Sequence, residues 1–344
     1  SSSRRRRAIL VWLGFWLIGA LIQLNFQEIL LVGFGHVGQT LLRKLVANGQ
    51  FEGSSFHVRV FDPDLKKNSG FFDKRYAAML QRYDIQFEPY DGRSEQLVGY
   101  VAQKASQLVY LAIAVGDEKT GQEIADGLLQ VLKDCGVDRP VYQCLPDRVI
   151  RYQIQKPRQT FDIYDADILY HGRMDKLAKE INHYYCGEEA SAEDQWKTCD
   201  YFSRMSCRAS ADYLDSLLKH LGISPQKALA GERMENLAKS EHLRWCAFHY
   251  AMGYTPMSRE QFEANAETWA RLQKEGSEKK IKIAKDTQAR RHACLVQWND
   301  LDKLSERENS LTGRDVDYKQ IDINNVLALP QLLQLQESAK QKNV

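Results

Sequence analysis

The sequence predicts an α/β protein: a doubly wound parallel sheet followed by a mostly α-helical region, with a hydrophobic helix in front. Three observations lead there. Short apolar runs alternate with amphipathic helical patterns from Glu28 to Asp147. The first run ends in a glycine-rich turn, "GFGHVG", that opens a helix. Beyond residue 160 the strand-like runs stop and helical spacing takes over. The chain divides accordingly into a basic and hydrophobic segment (1–24), a nucleotide-binding sheet domain (25–160), a helical connector (161–231) and a second domain (232–344).

Composition narrows the function classes. The 344 residues suffice for two domains, and 44% hydrophobic with 27% charged residues is the balance of a folded protein. A net charge of +2 gives no electrostatic case for nucleic acid as a partner. The seven cysteines are dispersed and form no CxxC pair, so no metal site or dithiol centre is expected, and reduced thiols in a cytosolic compartment are.

In chain order, Ala8 to Leu24 is apolar except for Gln23, at the short end for a spanning helix, with Trp12 and Trp16 placed to sit at an interface. A signal peptide and a buried core helix share this composition. Arg4 to Arg7 predict a cytoplasmic amino end, which for a single span puts the sheet domain outside the cell. Three arrangements avoid this: further spans upstream, a segment lying in the interface, or arginines that do not set orientation. The expectation is attachment at the cytoplasmic face of the cell membrane.

Glu28 to Val32 reads as a buried parallel strand. Gly33-Phe34-Gly35-His36-Val37-Gly38 follows it. Gly33 permits the tight turn, Gly35 lets backbone approach a pyrophosphate, and Gly38 lets the helix pack close to the strand. The helix amino terminus supplies free N–H groups to phosphates. A second strand, "FHVRVFDPD", ends at Asp62, about 25 residues past the last glycine, where a carboxylate accepts bonds from ribose hydroxyls and repels a 2′-phosphate. That favours NAD over its phosphorylated form, although a plain turn residue reads the same way. The strands "IQFEPYDG", "QLVYLAIAVG" and "RPVYQCLPD" alternate with the helices "SEQLVGYVAQ" and "DEKTGQEIADGLLQVLKDCG". Ligands bind at the carboxyl ends of such strands, which gathers Gly33 to Gly38, Asp62, Asp91, Gly92 and Gly116 around one crevice.

Residues 28–150 resemble the TrkA-N type of Rossmann domain found in potassium-conductance regulators, through "LLVGFGHVGQTLLRKL", "VRVFDPD", "YDGRSEQL" and "LVYLAIAVGDEKTGQEIA". The resemblance maps the phosphate-loop glycines to Gly33, Gly35 and Gly38, the ribose acid to Asp62 and the acid after the third strand to Asp91. The family's Gly-Asp order stands here as Asp91-Gly92. Such domains bind NAD(H), ATP, ADP or signalling nucleotides and report occupancy, generally without chemistry.

An enzyme reading needs an acid–base group. Tyr152 and Lys156 have the spacing of a short-chain dehydrogenase pair, but Pro157 would break the helix that pair needs. His36 and Asp117 are the other candidates, and His36 lies within the glycine loop.

After the sheet, "DADILYHGRMDKLAKEINHYYCG" begins a helical region in which Leu177, Ile181 and Tyr184 or Tyr185 share a face until Gly187. Residues 196–235 are expected to form further short helices, with "LGISP" as a stop. In "NLAKSEHLRWCAFHYAMGYTPMS", Leu237, Leu243 or Trp245, Phe248 and Met252 line one side of a helix closed by Gly253. With "KDTQARRHACLVQWNDLDKLSERENS", this stretch resembles the ryanodine-receptor (RyR) repeat over roughly residues 232–335. Its pattern appears as Glu241, His242, Trp245, Gly253, Tyr254, His292, Leu295, Val296, Trp298 and Leu301, closed by "TGRDVDYKQIDINNV". The resemblance implies a nucleotide-derived ligand, and bacterial members sit beside nucleotide-signalling and anti-phage genes. Glu241, His242, Arg244 and Trp245 with Arg290, Arg291 and His292 are its candidate site: an aromatic face for a base and guanidinium forks for phosphate. The tryptophans and His242 read equally as core residues. The basic run from Arg271 to Arg291 reads as a solvated face, a phosphate funnel or a membrane-surface contact.

The resulting expectation is a membrane-associated, homo-oligomeric sensor that binds NAD or a related nucleotide and a second nucleotide-type ligand. Its settings are potassium-conductance regulation or anti-phage signalling. An NAD-dependent oxidoreductase and an assembly protein with structural NAD are the alternatives.

Overall fold

The computed structural model describes residues 26–162, 175–187, 190–221, 232–279, 281–328 and 330–331. The hydrophobic segment 1–24 and the "LGISP" turn beyond Leu221 lie outside these residues. Among the described residues no helix is long and apolar enough to cross a membrane.

The first half is a Rossmann-like sheet. Its strands are β1 (Phe26–Val32), β2 (Ser55–Phe61), β3 (Asp84–Glu88), β4 (Leu108–Ile113), β5 (Val141–Cys144), β6 (Arg148–Gln153) and β7 (Lys156–Asp162). They lie in the order β3-β2-β1-β4-β5-β6-β7. The first five run parallel; β6 and β7 are antiparallel additions. Every residue of β4 is buried, as a central strand covered on both faces requires. Along β1, Ile29 and Leu31 join one buried cluster while Leu30 and Val32 join the other. The two-residue period of the strand thereby feeds two cores.

The helices are α1 (His36–Asn48), α2 (Leu65–Arg75), α3 (Ala77–Arg82), α4 (Glu95–Lys104) and α5 (Glu118–Asp134). Helices α4 and α5 cover one face through Leu97, Val101, Ile124, Leu128 and Leu132. Helix α1 lies on the other face and is buried around most of its circumference, Lys44 included. The cause is a further helical layer above it.

That layer contains α6 (Lys176–Cys186), α7 (Ala192–Thr198), α8 (Tyr201–Leu221) and α9 (Glu232–Ala251). One buried cluster runs unbroken from β1 through α1 to Leu177, Trp196, Tyr213 and Phe248. The Tyr213 hydroxyl donates to the Gln50 carbonyl at 2.8 Å, and the Ser240 hydroxyl accepts from Glu52 N–H at 3.0 Å. The sheet and the later helices therefore share a core. Helix α9 ends in a Schellman turn: Tyr254 N–H bonds the His249 carbonyl, Gly253 N–H bonds that of Tyr250, and Gly253 sits at φ +80°. The chain closes with β8 (Thr255–Pro256), α10 (Arg259–Lys274), β9 (Lys285–Asp286), β10 (Arg291–His292), α11 (Asp300–Thr312) and α12 (Tyr318–Leu327). The three short strands pair in the order β8-β10-β9.

Two expectations are corrected. The short helices expected over 196–235 are instead α7 and one long helix, α8, because no glycine or proline interrupts Tyr201 to Leu221. The hairpin β6–β7 was not read from the sequence. It puts Tyr152 and Lys156 on different strands, with the Tyr152 hydroxyl donating to Gln143 at 2.8 Å. The dehydrogenase-like spacing is thus a coincidence of a hairpin.

Candidate functional site

The glycine loop lies between β1 and α1, where strand order reverses between β1 and β4. Gly33 takes φ +95°, and a Cβ there would lie 2.7 Å from the Ala114 carbonyl oxygen. A Cβ on Gly38 would lie 2.0 Å from the Gly33 carbonyl oxygen. A Cβ on Gly35 would meet nothing within 4 Å, so the approach to the start of α1 is open there. Gly35 is also the N-cap and offers no side-chain acceptor to the first-turn amides. The helix amino terminus and its dipole give this spot a partial positive charge, which suits an anion.

The other loop residues divide by role. Phe34 is fully buried, its ring edge-on to Phe72 at 5.1 Å and Phe87 at 5.0 Å, so only its backbone serves the site. Val37 is half-buried against the same core, and His36 is exposed.

Asp62 is buried at the end of β2. Its Oδ2 accepts from Phe34 N–H at 2.6 Å and its Oδ1 from Asp64 N–H at 2.7 Å. The Asn68 side-chain amide bridges both oxygens at 3.2 Å. Asp62 is therefore both the turn residue of "DPD" and a clasp on the glycine loop. Asp91 is held by Arg93, through its backbone N–H at 2.8 Å and its guanidinium at 2.9 and 3.1 Å. The Arg93 bonds hold the Asp91 carboxyl below its usual range. Gly92 is a close-approach position, where a Cβ would fall 2.6 Å from Val32 and Ile124. Gly116 is open. Asp117 caps α5, accepting from Thr120 N–H at 2.7 Å.

A second cavity, of about 230 Å³, is lined by His242, Trp245, Lys282, Lys285, His292, Tyr318 and Asp322, with Ala284, Cys294, Leu301 and Ile321. The His242 ring faces two acceptors: Asp322 Oδ2 lies 3.0 Å from Nδ1 and the Val296 carbonyl 2.9 Å from Nε2. Both nitrogens donate only in the imidazolium. Burial opposes that charge, but hydrogen bonds to Asp322 and Cys246 outweigh it and push His242 up to about 11. Burial also raises Asp322, against the pull of His242. With Asp322 ionised, the two ring nitrogens face two acceptors and the histidine carries the charge. His292 has the reverse setting: burial, with Lys285 and Lys282 near, pushes it down to about 3. Trp245 lies between them, 4.7 Å from the His292 ring and 3.8 Å from His249. The Lys285 ammonium sits 4.3 Å over the Phe202 ring, and burial lowers its pKa.

Of the seven residues expected at the second site, this cavity gathers His242, Trp245 and His292. Glu241 and Arg244 form a buried bidentate pair at 2.7 Å and do not line it. Arg290 turns the chain at φ +53° and reaches toward the Met252 carbonyl at 3.4 Å, while Arg291 bonds Gln261 at 2.9 Å. Besides His242, the cations that line the cavity are Lys282 and Lys285, from the basic run whose arginines drew the sequence reading. Tyr318 and Asp322, on α12, were not singled out. No known protein family, curated protein or solved structure matches this chain.

Proposed function

We propose that this protein is a nucleotide-binding regulator rather than an enzyme. A nucleotide (NAD, or else ATP, ADP or a signalling nucleotide) sits in the glycine-loop crevice, and a second anionic, aromatic ligand sits in the Trp245 cavity. The finer reading is a TrkA-N-like Rossmann domain joined to a RyR-like domain. The apolar Ala8–Leu24 stretch carries the output to the cytoplasmic face of the cell membrane, in potassium-conductance control or anti-phage signalling.

The observation that carries the reading is the pairing of an uncapped, sterically open α1 start at Gly35 with a buried carboxylate, Asp62, clasped to the same loop. The first suits phosphate and the second a ribose. The second cavity is lined by an indole and two lysines, which suits a base with a phosphate. Of the residues an oxidoreductase would draw on, Asp117 caps a helix and Tyr152 braces Gln143. The shared core between α1 and α9 gives the two sites a physical connection. Regulation then requires each ligand to favour one packing over another by about 1–3 kcal/mol.

The test uses the purified full chain. Denaturation and mass spectrometry identify any retained nucleotide, and thermal shifts are then read against NAD, NADH, ATP, ADP, ADP-ribose and cyclic nucleotides. Two ligands with additive shifts are expected, one lost in Gly35→Asp and the other in Lys285→Ala. A tightly held, non-exchanging NAD with no second ligand would favour a structural cofactor. No retained nucleotide and no shift would sink the reading.

A further inference from the structure

We propose that Asn68 is a latch on the nucleotide site: its side-chain amide holds the Asp62 oxygens that a ribose diol would take, and ligand binding displaces it together with the first turn of α2. The inference rests on the nucleotide reading above.

An ionised carboxylate offers about four acceptor directions. Asp62 commits two of them to backbone, Phe34 N–H at 2.6 Å and Asp64 N–H at 2.7 Å. Those bonds fix the loop and the turn. The remaining capacity goes to one nitrogen of Asn68, shared between both oxygens at 3.2 Å. That distance is at the long end for an N–H donor, and one amide nitrogen cannot aim well at two oxygens. A ribose presents two hydroxyls, one for each oxygen, in charge-assisted bonds of about 2.5–2.7 Å. The exchange of one strained bridge for two short bonds favours the ligand. Asn68 is thus a stand-in that keeps the carboxylate satisfied until a diol takes its place.

The segment carrying Asn68 is set apart from the rest of α2 by a break, with Leu65 packed against the core at its base. Two residues after Asn68, Gly70 breaks α2, at φ +37° and ψ −121°, with open space around it. On the far side of the break Phe72 is buried against Phe34 and, at 4.7 Å, against Tyr76. Tyr76 in turn lies under Arg43, whose guanidinium reaches the Ala251 carbonyl at the end of α9. On the near side, Lys67 and Asn68 N–H bond the Asp64 carbonyl at 2.9 Å, and Gln39 bonds the Asn68 carbonyl at 2.5 Å. Release of Asn68 loosens residues 65–69 about Leu65 while Phe72 stays seated, and Gln39 on α1 loses a partner at the same time.

The test has two arms. Hydrogen exchange on the full wild-type chain, with and without NAD or ADP, should show slower exchange at residues 33–38 and faster exchange at 65–69. Unchanged or slower exchange at 65–69 with the nucleotide bound overturns the latch. Asn68→Ala should bind NAD about three- to tenfold more tightly, the worth of one hydrogen bond no longer displaced, and should leave affinity for a 2′,3′-dideoxy nucleotide unaltered. Equal or weaker NAD binding by Asn68→Ala overturns the latch and leaves the nucleotide site standing. Failure of the wild-type chain to bind either nucleotide overturns the site and the latch together.

Discussion

Gly35 and Gly38 share one loop and carry opposite demands. A side chain at Gly35 enters open space, whereas one at Gly38 runs into backbone 2.0 Å away. Gly35→Asp is therefore expected to fold with stability within about 0.5 kcal/mol of wild type and to lose NAD through charge and obstruction at the phosphate seat. Gly38→Ala is expected to lose about 1–3 kcal/mol or more from overpacking. Urea midpoints with calorimetric titration separate the two, and a Gly35→Asp variant that binds normally would remove the phosphate seat from that loop. Asp62 couples the demands. Its removal in Asp62→Ala leaves the Phe34 N–H without its acceptor beside a fully buried ring. Affinity should fall by up to about tenfold, and stability should fall with it by about 1–3 kcal/mol. A loss of affinity at constant stability would mean that the carboxylate is no clasp.

Helix α9 shows what a single element can and cannot declare. Glu241 and Arg244 are 1% and 2% exposed, a bidentate pair inside the helical layer. Glu241→Gln strands a buried guanidinium and should cost about 3–5 kcal/mol, whereas a Glu241→Gln/Arg244→Met double variant should recover most of it. A double variant no more stable than the single would point to a role for Arg244 beyond this pair. From the sequence these residues looked like ligand contacts, because charge is visible there and burial is not. The glycine loop was legible because glycine need and strand–helix alternation are local. The second cavity was half legible. His242, Trp245 and His292 were found, but the lysines were passed over for Arg290 and Arg291. Strand pairing explains why: β9 and β10 run antiparallel with His292 opposite Lys285 and Arg291 opposite Asp286. Opposed residues share a face, so one register puts Lys285 beside His292 and turns Arg291 to the other side. Register between two-residue strands leaves no periodic trace, and neither does the β6–β7 hairpin, whose second strand is almost wholly exposed.

At the scale of the whole molecule, one charged histidine ties three separate segments of the chain together. His242 on α9 bonds Asp322 on α12 and the Val296 carbonyl in the loop before α11. Its pKa stands at about 11 in the folded state against a usual 6.5. A group raised in this way adds stability that is fully present below pH 6.5 and is lost as pH climbs toward 11. Other groups act elsewhere on the scale. Burial holds His292 down to about 3 and His249 well below 6.5, so both take stability away as pH falls below 6.5. Burial raises Asp212 to about 6, against Lys44 and Arg208, so it adds stability at low pH that fades as pH rises from about 4 to 6. A comparison with Asp322→Asn cancels these shared terms and reads His242 together with its partner Asp322. In that variant the imidazolium loses its carboxylate, and burial then favours the neutral ring. The wild-type advantage should be largest near pH 6. It should narrow as pH rises to 9, by up to about 1.4 kcal/mol per pH unit, the limit for one proton. Urea midpoints for both proteins at pH 6, 7, 8 and 9 measure the gap. If it stays constant across that range, His242 is not charged in the folded state, and the junction of α9, α12 and the Val296 loop is held by neutral hydrogen bonds instead.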